Sequence, residues 1–360
     1  MKDSKSRAAE LLGREEQSVL SSEARKLYKN KTVLITGGGG TIGSELARIL
    51  ATLSPRKIIV FDIYENNAYD LSMELHHKYG ESLDLVVEIG SVRDRDRLEE
   101  IFSTYKPEIV FHAAAHKHVP LMEHNPFEAI KNNVFGTYNT ADMAEKYGAK
   151  KFVLISTDKA VNPTGIMGAT KRICEQIISC RNDGNTSFCA VRFGNVLGSA
   201  GSVVPLFMRQ ILSGGPVTIT DKRIVRYFMS IREAAELLLE AGAMADRGEL
   251  FVLDMGAQVR IFDLAEEMIK KYAKSGDKIE IIEVGLRPGE KLYEELLVDP
   301  EKHSKTPSSK IFIEKENPKR RSEMETVICI LRDFISKYPK SPDLLRLKEL
   351  IKTIIPEYRY

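Results

Sequence analysis

The chain has 360 residues, 43% of them hydrophobic and 29% charged, a composition that excludes a disordered protein and provides for one large domain or two unequal ones. A formal net charge of +2 gives no basic field for nucleic acid, and Lys319-Arg320-Arg321 alone reads as a solvated patch. No apolar run approaches the ~18 residues of a membrane span, and the polar start Met1-Lys2-Asp3-Ser4-Lys5 lacks a signal-peptide core, so a cytoplasmic protein without a membrane span is expected.

Residues 1–30 are charged, with an amphipathic hint at Ala8, Leu11, Leu12 and Val19 that predicts a short helical arm. From Thr32 onward, β-branched runs alternate with helical patterns. Val33-Leu34-Ile35 precedes Ile42, Leu46, Ile49 and Leu50; Ile58-Ile59-Val60-Phe61 precedes Leu71 and Leu75; Leu85-Val86-Val87 precedes Leu98, Ile101 and Phe102. Ile109-Val110-Phe111, Phe152-Val153-Leu154-Ile155 and Cys189-Ala190-Val191-Arg192-Phe193 continue the series. This alternation predicts an α/β fold over 31–195, a Rossmann-type doubly wound parallel sheet with helices on both faces. After Asn195 the segments shorten, and 196–300 is expected to form a smaller substrate-binding lobe over the carboxyl edge of the sheet, with a strand near 250–254 rejoining it. Residues 301–360 read as a helical extension.

Cys174, Cys180, Cys189 and Cys329 form no CxxC pair, and His112, His116, His118 and His124 have no acidic ligand set at helical spacing, so no metal is expected. Thr36-Gly37-Gly38-Gly39-Gly40-Thr41-Ile42-Gly43 follows a strand and opens a helix. Gly37, Gly40 and Gly43 there permit a tight turn, close approach of a pyrophosphate and helix packing, with the helix amides facing the phosphate. Asp62 ends the second strand, nineteen positions beyond Gly43, where a carboxylate accepts both ribose hydroxyls of NAD and repels a 2′-phosphate. The next cluster, Ser156-Thr157-Asp158-Lys159 through Met167 to Lys171, starts at a strand end, where α/β enzymes place chemistry.

With these motifs the chain resembles, over about 31–298, the extended short-chain dehydrogenase/reductase family. More narrowly it resembles the UDP-N-acetylglucosamine 4,6-dehydratases of bacterial polysaccharide and glycan biosynthesis. The likeness runs through Phe111 to Pro120, Ser156 to Lys171, Arg192-Phe193-Gly194-Asn195-Val196-Leu197-Gly198 and Arg287-Pro288-Gly289-Glu290-Lys291-Leu292. Leu11-Leu12-Gly13-Arg14 resembles the segment that precedes the catalytic domain in long, membrane-anchored members. The family pairs a tyrosine with a lysine four residues later; Met167 stands at the tyrosine position and Lys171 at the lysine position, which is the pattern of the configuration-retaining branch.

The resemblance implies NAD as cofactor, held by the glycine loop with Thr41 and Ile42, by Asp62, by Ala113 and Ala114, and by Lys171 at the nicotinamide ribose. It implies UDP-N-acetylglucosamine as substrate, with Lys117 near the sugar, Asn195 at the diphosphate or the sugar, Arg226 and Arg287 at the phosphates, Glu290 at a ribose, and Asn133 as a structural residue beside the lysine. Homo-oligomers are the family's habit. Dehydration requires oxidation at C4, a base for the C5 proton and an acid for the departing C6 hydroxyl. Asp158 is the candidate acid and Lys159 the candidate base, neutral through desolvation or through Lys171 as a neighbouring cation. Both reach one substrate only if the chain has left β geometry at that point. Thr157 orients the substrate or relays the C4 proton, and Met167 is expected to line the sugar pocket. The competing readings are a C5-inverting dehydratase, a C4-epimerase and a non-catalytic NAD-binding regulator.

Overall fold

A computed structural model describes residues 18–295, 301, 303–315, 318–338 and 343–360. Ala8, Leu11, Leu12 and the Leu11–Arg14 segment lie outside the described residues. The strands in chain order are β1 (Thr32–Thr36), β2 (Lys57–Asp62), β3 (Leu85–Ile89), β4 (Ile109–His112), β5 (Lys151–Ile155), β6 (Ser187–Arg192), β7 (Asn195–Val196), β8 (Val217–Ile219), β9 (Val225–Met229), β10 (Glu249–Leu253), β11 (Gln258–Arg260), β12 (Ile281–Glu283), β13 (His303–Lys305) and β14 (Ile311–Glu314).

Nine of them form one sheet in the order β13-β14-β10-β6-β5-β4-β1-β2-β3. From β3 to β10 every neighbour pair is parallel. β1 and β4 are buried along their whole length and so carry unbroken apolar runs, as a sheet covered on both faces requires. One face packs on a core that includes Phe127, Ile130, Ile173 and Ile177; the other packs on one that includes Leu46, Leu50, Leu237 and Leu238. The strand order reverses between β1 and β4, and the ligand crevice of such sheets lies at the carboxyl ends beside that switch.

β10 pairs in parallel with β6, from Glu249↔Cys189 to Val252↔Arg192. Residues 301–360 depart from the helical expectation: β13 and β14 extend the sheet with antiparallel pairing before the helices Arg321–Lys337 and Leu344–Ile354. Helix Ser22–Tyr28 docks on helix Ile231–Met244: the amides of Val19 and Ser21 donate to Glu236 and Glu240, and Tyr28 Oη donates to Leu239 O at 2.6 Å. A separate small core of Phe207, Ile219, Phe228, Leu264 and Met268 supports two minor sheets, β11-β9-β7 and β12-β8. Among the described residues no helix is long and apolar enough to cross a membrane.

Candidate active site

The glycine loop folds as its sequence demands. Gly37 has φ +66°, and a Cβ there would stand 2.6 Å from Ala114 N; a Cβ on Gly43 would stand 2.3 Å from Gly37 O. Helix Thr41–Ala51 starts at Gly40 with no side-chain cap, which leaves its first amides for an anion. Asp62 accepts the Gly39 amide at 2.8 Å on one carboxylate oxygen and the Tyr64 amide at 2.9 Å on the other. The carboxylate is therefore tied to the loop it accompanies and keeps lone pairs for hydroxyl donors. Ala113 N donates to Thr36 O, bringing the end of β4 beside the glycine turn.

β5 ends at Ile155, and Asp158–Ala160 makes a single 3₁₀ turn, so the chain has left β geometry where Asp158 and Lys159 require it. Asp158 is fully buried. Its Oδ1 accepts from Thr157 Oγ1 at 2.9 Å and from Lys159 Nζ at 2.9 Å, while Oδ2 has no partner among the described residues. Lys159, with 24% of its side chain exposed, also lies 3.4 Å from Glu294 Oε1. Burial disfavours its charge, but the nearby Asp158 and Glu294 outweigh burial and hold Lys159 above the usual lysine range.

This corrects the expected division between the two lysines. Lys171 is the one that burial pushes down, against the opposing pull of Cys174 and Glu175. Arg226, rather than the expected Lys171, is a cation that acts against Lys159's charge. Met167 also departs from expectation: it is 3% exposed and packs in the core beneath the sheet with Ile130 and Ile173, so it does not line the cleft.

Lys171 sits on helix Ile166–Ser179, which three contacts fix from below. Asn133, in a π-helical turn over Ile130–Phe135, accepts the His116 amide at 2.8 Å and donates to His116 O and to Thr170 Oγ1, each at 3.1 Å. One turn beyond Lys171, buried Glu175 accepts Ser156 Oγ at 2.6 Å and a two-pronged Arg192 at 2.7 Å per prong. His112, between Thr36 Oγ1 at 2.7 Å and Thr137 Oγ1 at 3.1 Å, is pushed by burial, and secondarily by Lys171, to about 3 and is neutral.

Lys117, Lys159, Asn195, Arg226, Arg287 and Glu290 all line one cleft of about 340 Å³ between the sheet and the smaller lobe. The register Asn195↔Phe228 between β7 and β9 is what brings Asn195 near Arg226. Thr157, Asp158 and Lys171 are not among the residues that line it, and Asp158 meets it through its pair with Lys159. Arg226 donates to the carbonyls of Val225, Lys291 and Leu292, so it staples the segment that follows Arg287. Arg287 is exposed, and its Nε and Nη2 each donate to Glu290 at 3.3 Å, a long two-pronged pair at the cleft wall. Lys117 Nζ donates to Ala200 O at 2.8 Å, and burial followed by Lys159 lowers its proton affinity.

Sequence reasoning missed Glu294. It is 4% exposed and lines the cleft, whereas the side chain of its neighbour Glu295 is 38% exposed; nothing in the sequence separates the two. Among the described residues no group of three His, Cys, Asp or Glu side chains is placed to hold a metal ion.

A parallel sheet with a glycine turn after β1, a carboxylate after β2 and a polar cluster after β5 defines an extended short-chain dehydrogenase/reductase fold. Residues 33–316 match the family described as "Polysaccharide biosynthesis protein", and the chain belongs to it. It is 49% identical over 333 residues to the capsular polysaccharide biosynthesis protein CapD of Staphylococcus aureus, a match that covers 92% of this chain and 55% of CapD. The chain thus spans about half the length of that relative. It is 34% identical over 306 residues to an inverting UDP-N-acetylglucosamine 4,6-dehydratase of Campylobacter jejuni, covering 81% of this chain and 87% of that protein. Among solved structures, Pen from Bacillus thuringiensis is similar with a TM-score of 0.74 and 36% identity, over 84% of this chain and 98% of Pen.

Proposed function

We propose that the chain is an NAD-dependent UDP-N-acetylglucosamine 4,6-dehydratase that retains configuration at C5. Its product would be UDP-2-acetamido-2,6-dideoxy-α-D-xylo-hexos-4-ulose, for deoxyamino-sugar and glycan biosynthesis. The observation that carries this reading is the unbroken hydrogen-bonded run Thr157 Oγ1 to Asp158 Oδ1 to Lys159 Nζ, with Lys159 opening into a cleft lined by arginine, lysine and asparagine. An acid type and a base type so coupled are what elimination needs and what simple hydride transfer does not.

The glycine loop fits a dinucleotide, because the close approach at Gly37 and Gly43 leaves no space for a Cβ, and the uncapped helix Thr41–Ala51 faces the loop. Gly37, Gly40, Thr41, Ile42 and Gly43 would hold the pyrophosphate, Asp62 a ribose, Ala113 and Ala114 the wall of the cleft, and Lys171 the nicotinamide ribose. NAD, when bound, supplies a store for the hydride taken from C4 and returned to C6.

Asp158 accepts the C4 hydroxyl proton through Thr157 Oγ1 and later gives it to the C6 hydroxyl oxygen as that group leaves as water. Protonation of Asp158 removes one of the two anions that hold Lys159's ammonium, which favours loss of one ammonium proton to solvent, where 24% of the side chain is exposed; solvent restores that proton after turnover. Lys159 then takes the C5 proton at Nζ and returns it to the same face. Arg287, Asn195 and Lys117 bind the diphosphate and sugar. Retention is assigned because Met167 replaces the tyrosine of the inverting branch, and its burial leaves Thr157 as the hydroxyl beside the acid.

Proton NMR of the product from UDP-N-acetylglucosamine tests the reading. A new C6 methyl signal with unchanged C5 configuration is expected. A retained hydroxymethyl group refutes dehydration, and an inverted C5 refutes retention.

A further inference from the structure

Neither nucleotide binding nor the proton run accounts for Glu294. It follows the Arg287–Lys291 turn and presents Oε1 3.4 Å from Lys159 Nζ and 3.7 Å from Arg226 Nε. One carboxylate oxygen thus serves two cations carried by different parts of the fold, one after β5 and one on β9. Its other oxygen, Oε2, is buried and has no hydrogen-bond partner among the described residues. A buried carboxylate with an unsatisfied oxygen is costly, and a wall position serving only packing would favour an apolar side chain.

The charged groups that face Lys159 are Asp158 on its own turn, Glu294 from across the cleft, Arg226 on β9 and Lys117 from the loop after β4. Two anions oppose burial and two cations. When Asp158 is protonated in the proposed reaction, Glu294 is the remaining anion on the lysine.

We infer that Glu294 is a positioning residue for Lys159: it keeps the ammonium charged and fixed in the ligand-free cleft, and it ties that charge to Arg226 through a shared counter-ion. The base role of Lys159 in this inference rests on the dehydratase reading; the charge-holding role does not.

The test is competitive labelling of the ligand-free full chain with acetic anhydride between pH 7 and 11. Peptide mass spectrometry reads acetylation of Lys159 against the exposed Lys29. Only the neutral amine reacts, so each unit by which its pKa falls raises the rate tenfold at a fixed pH well below that pKa. Removing an anion within hydrogen-bonding range moves a partner by roughly 1–3 units. Glu294→Gln is therefore expected to raise Lys159 labelling at pH 8 by at least tenfold and to lower the pH at which the rate levels off. Glu294→Asp, which keeps the charge and withdraws it by one methylene, moves the same way by less.

A profile whose plateau changes in height but not in pH reports access alone and overturns the inference. So does an unchanged profile in either folded variant. Labelling does not depend on turnover, so a failure here leaves a positive NMR result standing, and a failure of the NMR assay leaves the labelling result standing. Where dehydration is seen, the acidic limb of the kcat profile moves down in Glu294→Gln together with the labelling midpoint.

Discussion

Gly43→Ala tests whether the loop after β1 binds a pyrophosphate through its main chain. The added Cβ would stand 2.3 Å from Gly37 O, 2.7 Å from Gly38 Cα and 3.0 Å from Gly37 C, all backbone atoms. Ordinary contact begins near 3.4 Å, so the turn must open by about 1 Å, and no flexible side chain can absorb it. Gly37 O also accepts the Gly40 amide at 3.0 Å, so the movement spreads through the turn. A hydrogen bond to a charged group contributes about 1.5–3 kcal/mol, so losing one amide-to-phosphate contact weakens NAD binding by roughly 10- to 150-fold. Isothermal titration with NAD⁺ measures this directly. Thermal stability is no substitute, because alanine is favoured over glycine inside a helix by up to about 1 kcal/mol and partly offsets the clash. Gly184→Ala is the control, its nearest atom being Glu145 Oε1 at 3.5 Å. A Gly43→Ala protein that binds NAD⁺ within twofold of wild type would refute the reasoning.

Asp158→Asn is expected to lower the dehydration rate at least about 100-fold while leaving NAD⁺ affinity near wild type; retention of a tenth of the rate by product NMR would rule out its proton role. Glu175→Ala leaves buried Arg192 without its two-pronged partner and is expected to destabilise the fold by about 3–5 kcal/mol in urea unfolding. A loss under about 1 kcal/mol would mean the network is not a coupled unit. His112 carries a pH dependence whose sign follows from its lowered pKa. Below the ordinary value of 6.5 the unfolded chain takes up a proton that the folded His112, at about 3, does not. Its contribution is present above pH 6.5 and is lost as pH falls toward 3, by about 1.4 kcal/mol per pH unit. Urea unfolding between pH 7 and 4.5 should therefore show a steeper acid loss in wild type than in His112→Asn, and parallel slopes would show that His112 is protonated in the folded state.

The main sheet was readable because its strands are covered on both faces. β1, β2, β5 and β6 each carry four or more apolar or β-branched residues in a row, a pattern that burial on one face would interrupt. The edge strand β13 and its neighbour β14 were not readable: His303-Ser304-Lys305 is polar because it closes the sheet toward solvent, and Ile311-Phe312-Ile313-Glu314 is too short for a period to show. The π-helical turn over Ile130–Phe135 carries no local signal either. It is legible only from what Asn133 does, reaching both the His116 backbone and Thr170.

For the cleft, residue types marked which chemistry was present but not which partners would meet. Lys159 and Lys171 are the same amino acid in one motif, and sequence assigns the lower proton affinity to Lys159 because elimination requires a base. The fold gives Lys159 two carboxylates and gives Lys171 burial with a neutral imidazole at the strand end beneath it. The resting site is therefore charged where the reaction needs a neutral amine, and the run from Thr157 to Lys159 offers a way to resolve this during the reaction. A proton arriving on Asp158 from the C4 hydroxyl both arms the acid and loosens the lysine. Met167 belongs to the same argument: with the tyrosine position turned into the core, the hydroxyl at the head of that run is the threonine's, and Thr157→Val should abolish oxidation at C4 before it affects elimination. Burst-phase reduction of NAD⁺ on mixing with substrate separates the two steps, and an undiminished burst in Thr157→Val would remove Thr157 from the proton path.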